Sequence, residues 1–153
     1  VITETADSLF LTKMRTILCP CNAAGAMGAG VAKSVRTYYP VAFHEYRQLF
    51  PRVENPAALD RRLAETMVNV RLTRRNVLLF CTKYHWTEKS PVELIDRNLA
   101  ALARDWDILQ IETLAMPLIG CGKGGLNYER DVRPLIVKHL SNFTVEICGV
   151  DMR

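Results

Sequence analysis

Two glycine-rich turns constrain this chain more than any other feature. Each closes an apolar run, and each is followed by a helical pattern. The first lies within CNAAGAMGAGVAKSVRTYY, Cys21 to Tyr39, and the second within MPLIGCGKGGLNY, Met116 to Tyr128. A residue without a Cβ lets the backbone turn sharply and approach a ligand closely. Unpaired amides at the start of the helix behind such a turn hold anions. Two such loops in one small domain point to a ligand with two phosphates, gripped from both sides. The second loop places four glycines, Gly120, Gly122, Gly124 and Gly125, in six residues. A turn that is only structural rarely needs so many, which favours ligand contact.

The surrounding pattern is that of an α/β domain. Ile2 to Leu11 predicts an opening strand with Asp7 near its end, and Met14 to Cys21 a second strand buried on both faces. A helix starts at about Ala29, with Val31, Val35 and Tyr38 at helical spacing, and Pro40 interrupts it. Phe43 to Phe50 predicts another short helix, closed by Pro51. Arg52 to Arg62 reads as loop with a short helix around Ala58. Met67 to Leu72 and Val77 to Thr82 are strand-like, and Thr73-Arg74-Arg75-Asn76 joins them as an antiparallel hairpin. Ser90-Pro91-Val92-Glu93 opens a helix with a capping box, and Val92, Ile95, Leu99, Leu102 and Trp106 mark its apolar face. Ile111 to Ile119 predicts a strand leading into the second loop. Asn127 caps the next helix, whose Val132, Leu135, Ile136 and Leu140 face the core. Thr144 to Val150 is the closing strand. Strands alternating with helices predict a three-layer α/β/α sandwich, and the hairpin makes its central sheet mixed. Ligands in such sheets sit at the carboxyl ends of strands, where both glycine loops fall.

At 153 residues and 49% hydrophobic content, residues 1–153 are expected to form one domain with a sizeable core. No apolar run approaches the roughly 20 residues of a membrane span, and VITETADSLF lacks the basic and apolar regions of a secretory signal. Five cysteines, mostly in strand-like runs, do not read as a disulfide framework and point to a reducing, cytoplasmic compartment. Cys19 and Cys21 with three histidines fall short of a zinc pattern, so neither metal nor cofactor is expected. The net charge of +4 includes Arg61, Arg62, Arg71, Arg74 and Arg75. They are either a solvated surface or a phosphate-attracting face for nucleic acid.

Four polar or aromatic residues stand where chemistry would be placed. Asn22 ends a buried strand just before the first loop, and its amide needs partners; bracing the loop is one use. Lys83 closes an apolar strand at the ligand-binding end of the sheet. A strand-end lysine usually reaches solvent. A neutral amine there is also a nucleophile for an electrophilic carbon, with desolvation lowering its pKa and phosphates raising it. Trp86 is either an anchor for its own loop or a platform for a base or ribose. His85 is a candidate proton shuttle.

Gly25-Ala26-Met27-Gly28-Ala29-Gly30 and Pro117-Leu118-Ile119-Gly120-Cys121-Gly122-Lys123-Gly124-Gly125-Leu126 resemble the paired ADP-ribose-binding loops of macrodomains. Cys81-Thr82-Lys83-Tyr84-His85-Trp86, followed by Lys89-Ser90, resembles the lysine motif of the DarG antitoxin branch, related to the terminal ADP-ribose glycohydrolases. The resemblance runs from about Asp7 to Asp151. It implies a macrodomain fold and an ADP-ribosyl hydrolase acting on a modified macromolecule, with DNA favoured over protein and an ADP-ribosyltransferase toxin as partner. It also implies that Lys83 is the catalytic residue and that Asn22 contacts the ribose of the scissile bond. Asp7 would bind adenine, although Ser8 intervenes before Leu9-Phe10 where the family runs straight on. Residues 26–30 and 120–126 would hold the diphosphate. The eukaryotic glycohydrolases carry an acidic residue where this chain has Gly124, and DarG-like proteins have glycine, which favours DNA-linked ADP-ribose. Two other functions compete: a non-catalytic ADP-ribose reader, which would not require Lys83, His85 and Trp86, and a phosphatase for ADP-ribose bearing a terminal phosphate.

Overall fold

The apolar runs become six strands of one sheet in the computed structural model, which describes residues 1–153. They are β1 (Ile2–Thr5), β2 (Thr16–Asn22), β3 (Val68–Val70), β4 (Asn76–Lys83), β5 (Thr113–Met116) and β6 (Thr144–Cys148). Their spatial order is β1-β6-β5-β2-β4-β3. All neighbours run parallel except β3 and β4, the predicted hairpin, where Val68 faces Leu79 and Val70 faces Val77. The sheet is therefore mixed, as expected.

Alternation along the central strands decides where the helices pack. Successive side chains leave a strand on opposite faces. Ile17, Cys19 and Cys21 of β2, with Val77, Leu79 and Cys81 of β4, point to one side. There they meet Val35 of α1 (Gly30–Tyr38) and Ala42 and Tyr46 of α2 (Pro40–Leu49). Leu18, Leu78 and Phe80 point to the other side. They meet Ile95, Leu99 and Leu102 of α3 (Val92–Arg104), and Ile136 and Leu140 of α4 (Arg133–Leu140). Apolar residues on both faces of the same strands give the three layers.

Several boundaries differ from the sequence reading for local reasons. The opening strand ends at Thr5, whose hydroxyl accepts a hydrogen bond from Asp7 N at 3.2 Å. The Ser8 hydroxyl then caps a single 3-10 turn over Leu9–Leu11. Such side-chain bonds to nearby backbone compete with the sheet ladder. Pro40 does not merely interrupt a helix; it occupies the first turn of α2, where its missing N–H costs nothing. The capping box at Ser90 does not form. Pro91 takes the N-cap position of α3, and the Ser90 hydroxyl is buried without a partner. Asn127 caps as expected, accepting from Arg130 N at 2.8 Å while Asp131 accepts from Asn127 N at 2.8 Å. One π-type turn over Tyr128–Val132 precedes α4.

The five mid-chain arginines do not share one face. Arg61 is bidentate to Glu88 at 3.0 and 2.7 Å, and Arg62 pairs with Asp60 at 3.1 Å. Arg71 bonds Gln110, and Arg75 bonds the Thr12 carbonyl. Arg74 and Arg75 lie just before β4, at the end of that strand opposite Lys83.

One buried polar side chain ties α3 to the ligand end of the sheet. Asn98 Nδ2 donates to the Cys81 and Ala64 carbonyls, both at 2.9 Å. Removing a donor strands buried acceptors, at about 1–3 kcal/mol. Asn98→Leu should therefore lower the unfolding free energy in urea by about 2 kcal/mol. An unchanged denaturation midpoint would show that the two bonds contribute nothing net.

Candidate functional site

β2 and β4 end side by side, and the site is built on that ending. Their register runs evenly to Cys21 opposite Cys81, then shifts so that Asn22 lies opposite Lys83. Both side chains enter the wall of one cleft of about 1000 Å³, at the upper end of the range for small-ligand sites. The two glycine loops, the strand ends and the edge of α1 and α2 form its walls.

The Asn22 side chain is buried and almost fully committed. Its Oδ1 accepts from Ala24 N at 3.0 Å, Ala26 N at 3.4 Å and the Tyr46 hydroxyl at 3.0 Å. Nδ2 donates to the Ala26 carbonyl at 2.8 Å, which leaves one amide hydrogen on the cleft side. Asn22 thus braces the first loop and keeps one donor in reserve. Within that loop Gly25 has φ +84°, and a Cβ there would fall 2.6 Å from the Phe50 carbonyl oxygen and 2.8 Å from Arg52 Cα. Gly28 meets nothing within 4 Å on its Cβ side. Ala29, the N-cap of α1, provides no side-chain cap, so the first amides of that helix are available to an anion.

The second loop divides its glycines differently. Gly120 and Gly125 have φ of +73° and +83°, a conformation that disfavours side chains. Gly124 is packed from below: a Cβ would lie 2.5 Å from the Gly120 carbonyl oxygen and would also strike the Ser90 hydroxyl. Ser90 N donates to the Gly124 carbonyl at 3.0 Å, fixing the contact. No room exists there for any larger side chain. Gly122 alone has open space on its Cβ side and an ordinary φ. Both loops are therefore shaped by packing as well as by any ligand.

Lys83 is half-buried. Desolvation lowers its pKa from the usual lysine range, and the like charges of Lys123 and Lys89 lower it further. The next residues separate in role. His85 is fully buried, with Nδ1 accepting from Thr87 N at 3.2 Å and Nε2 2.9 Å from the Val53 carbonyl. It is not part of the cleft wall, so it holds its loop rather than reaching a substrate. Trp86 stacks on His85 at 4.0 Å between ring centres and does line the cleft. It is both anchor and wall.

Asn22, Ala26, Met27, Gly28, Ala29, Gly30, Lys83, Trp86, Gly120, Cys121, Gly122, Lys123 and Gly124 all meet at the cleft. His85, Gly125 and Leu126 do not line it, and Asp7 lines a separate small pocket with Thr12 and Glu146. Asp7 is exposed, and its carbonyl accepts from Gly149 N at 3.0 Å; the adjoining Ser8, Leu9 and Phe10 form the wall at that end. The sequence reading missed Arg36, Phe43, Arg47, Arg52 and Ser90. Phe43 and Arg47 carry a usable signal, being one helical turn apart on α2. Every charged residue of the wall is a cation: Arg36, Arg47, Arg52, Lys83 and Lys123.

The Macro domain family model matches residues 19–134. This chain belongs to the macro domain family. The macrodomain of Mycobacterium tuberculosis DarG superposes with a TM-score of 0.83 at 26% identity, over 99% of both chains. Thermosipho africanus DarTG in complex with ADP-ribose superposes with a TM-score of 0.81 at 24% identity, over 96% of this chain and 41% of that one. A curated DNA ADP-ribosyl transferase–DNA ADP-ribosyl glycohydrolase fusion protein of Thermosipho africanus is 28% identical over 91% of this chain and 39% of its own length. The macro domain described here thus spans about two fifths of the curated relatives it matches.

The glycine assignments are testable by melting. Gly124→Ala has no space for its methyl and should lower the melting temperature by on the order of 5 °C. Gly122→Ala meets open space and should stay within about 1 °C of the parent. Equal melting of both variants would contradict the packing of the second loop.

Proposed function

We propose that this macro domain binds ADP-ribose in the cleft and hydrolyses the bond between its terminal ribose and a DNA base. The observation that carries the reading is Asn22 beside Lys83 at the ends of β2 and β4, facing a cleft between two loops rich in free amides. Likeness to proteins named DNA ADP-ribosyl glycohydrolase, and to a DarTG structure containing ADP-ribose, supports it. A DNA ADP-ribosyltransferase is the partner this implies, the macro domain reversing its modification.

In this reading the backbone of residues 26–30 and 120–125 holds the diphosphate. The adenine lies against Leu9, Phe10 and Cys148, and the exposed Asp7 carboxylate, which lies outside the wall, turns in to accept from the exocyclic amine. The spare Asn22 amide hydrogen orients the terminal ribose. Lys83 Nζ, neutral, attacks the anomeric carbon with its lone pair. The bond to the base breaks, the base leaves with the bonding pair and takes up a proton, and water then frees ADP-ribose and restores the amine. Burial of Lys83 and its lysine neighbours lower its pKa, which is the direction this chemistry needs.

Lys83→Ala should abolish single-turnover release of ADP-ribose from modified DNA, by about 10³-fold or more, while calorimetry still detects ADP-ribose binding. Equal loss of binding and turnover would make Lys83 a ligand contact. A wild type that binds ADP-ribose but releases none from DNA, protein or terminal-phosphate substrates would be a reader.

The pH profile gives a second check. A reactive neutral amine makes kcat/KM rise with pH through the pKa of Lys83 in the free enzyme, below the ordinary lysine value. Lys123→Met removes one like charge, so that pKa rises and the ascending limb should move to higher pH. A limb that does not move, or moves to lower pH, would exclude the assignment.

A further inference from the structure

The cleft carries more positive charge than ADP-ribose matches. A diphosphate brings about one charge per phosphate, against five cations and no carboxylate in the wall. Lys83 sits at the strand end and Lys123 in the second loop. Arg36, Arg47 and Arg52 remain, all exposed, and all on the side formed by α1, α2 and the segment after α2. Arg36 and Arg47 form no ion pair. Arg52 pairs with Glu54 at 2.6 Å, both being solvent-exposed.

Two of these arginines are set against aromatic rings that also line the cleft. The Arg36 guanidinium lies 4.4 Å from the centre of Phe43, and Arg47 follows Phe43 by one turn on α2. The Arg52 guanidinium lies 4.9 Å from the centre of Trp86. Its backbone is held against Gly25, and the neighbouring Val53 N donates to the Ala24 carbonyl at 3.0 Å. Trp86 is three residues beyond Lys83. Both rings are half-buried; cations interleaved with aromatic rings along a cleft wall suit single-stranded nucleic acid, whose phosphates meet the charges and whose unpaired bases meet the rings. A base whose link to ribose is cut inside a cleft must in any case be out of the duplex stack.

We propose that Arg36, Arg47, Arg52 and Trp86 form a track for the acceptor strand. The arginines bind phosphates flanking the modified nucleotide of single-stranded DNA; Arg52 turns from the Trp86 ring to its phosphate, and a base beside the scissile bond takes its place on the face of Trp86 opposite His85. This rests on the reading that the acceptor is DNA, and it assigns the recognition of that DNA to residues outside the ADP-ribose loops. Phosphate on Arg52 replaces Glu54.

The test compares an ADP-ribosylated mononucleotide with an ADP-ribosylated single-stranded oligonucleotide. Binding is followed by fluorescence anisotropy over a range of salt in the non-cleaving Lys83→Ala protein. Hydrolysis is followed in the wild type. The oligonucleotide should bind about tenfold tighter or more at low salt, with a steeper log–log salt slope. Each of Arg36→Gln, Arg47→Gln and Arg52→Gln should reduce that slope by about 0.7, and the triple variant should lose the advantage of the oligonucleotide over the mononucleotide. Trp86→Ala should weaken the oligonucleotide about tenfold without changing the salt slope. Equal affinity for the two probes, or a slope unmoved by the triple variant, overturns the track. If the wild type still cleaves the mononucleotide, that result leaves the proposed function intact. Release of ADP-ribose from modified protein but from neither DNA probe overturns the DNA reading and the track with it.

Discussion

The Asn22 amide is the fixed point on which the site depends. It receives hydrogen bonds from two amides of the first loop and from the Tyr46 hydroxyl, and returns one to Ala26. The Tyr46 hydroxyl also lies 2.6 Å from the Asn22 carbonyl, so α2 is tied to the strand end at two atoms. Burial pushes the Tyr46 phenol well up, which keeps it protonated as the donor. From there the frame spreads through backbone bonds. Ala23 N donates to the Tyr84 carbonyl at 3.0 Å, Val53 N to the Ala24 carbonyl at 3.0 Å, and His85 Nε2 reaches the Val53 carbonyl at 2.9 Å. One hydrogen-bonded frame thus joins the first glycine loop, the Arg52 segment and the Lys83–Trp86 turn. A site held this way is set before the ligand arrives, which is what positioning of a reacting atom demands.

The second loop is tuned by exclusion. Gly124 has the Gly120 carbonyl beneath it and shares a wall with Ser90. An acidic side chain at that position would require the loop or the start of α3 to move. Lys83 therefore has no carboxylate beside it in the cleft, since no Asp or Glu lines the wall. Ser90 illustrates the same economy of space. Its backbone N–H is used to fix Gly124, and its hydroxyl is left over, buried, at the cleft.

The parts of this molecule that were legible in the sequence are those written locally. Strands alternating with helices, and the continuous apolar run of β2, made the layers legible, as Thr73 to Asn76 did the antiparallel pair and Asn127 its cap. The glycine loops and Lys83 were legible because strand ends and loop amides follow each other along the chain. What was not legible depends on contacts between distant segments. Phe43 and Arg47 lie one turn apart on a short helix whose face the sequence reading left unassigned, and the packing of Ala42 and Tyr46 against the sheet turns that side toward the cleft. Arg52 is brought in because Gly25 admits its backbone. His85 and Trp86 are adjacent in sequence, yet one is buried and the other forms the wall. The sequence holds no signal for that choice, because the Val53 carbonyl that captures His85 lies 32 residues away. Ser90 read as a cap, and its proximity to Gly124 explains why it is not one.

The charge of the cleft places two demands on Lys83 that pull in opposite directions. The same cations that draw phosphates in also lower the pKa of the amine, because like charges disfavour its protonated form. A bound diphosphate, or an acceptor strand on the arginines, cancels part of that field and would restore the proton. Burial is the largest influence on Lys83, with Lys123 and then Lys89 behind it. Ligand binding opposes the two smaller influences and reinforces the largest, since a ligand seated between the loops covers the strand end and removes water from it. Desolvation then acts on an amine with no carboxylate in the wall to stabilise its charge.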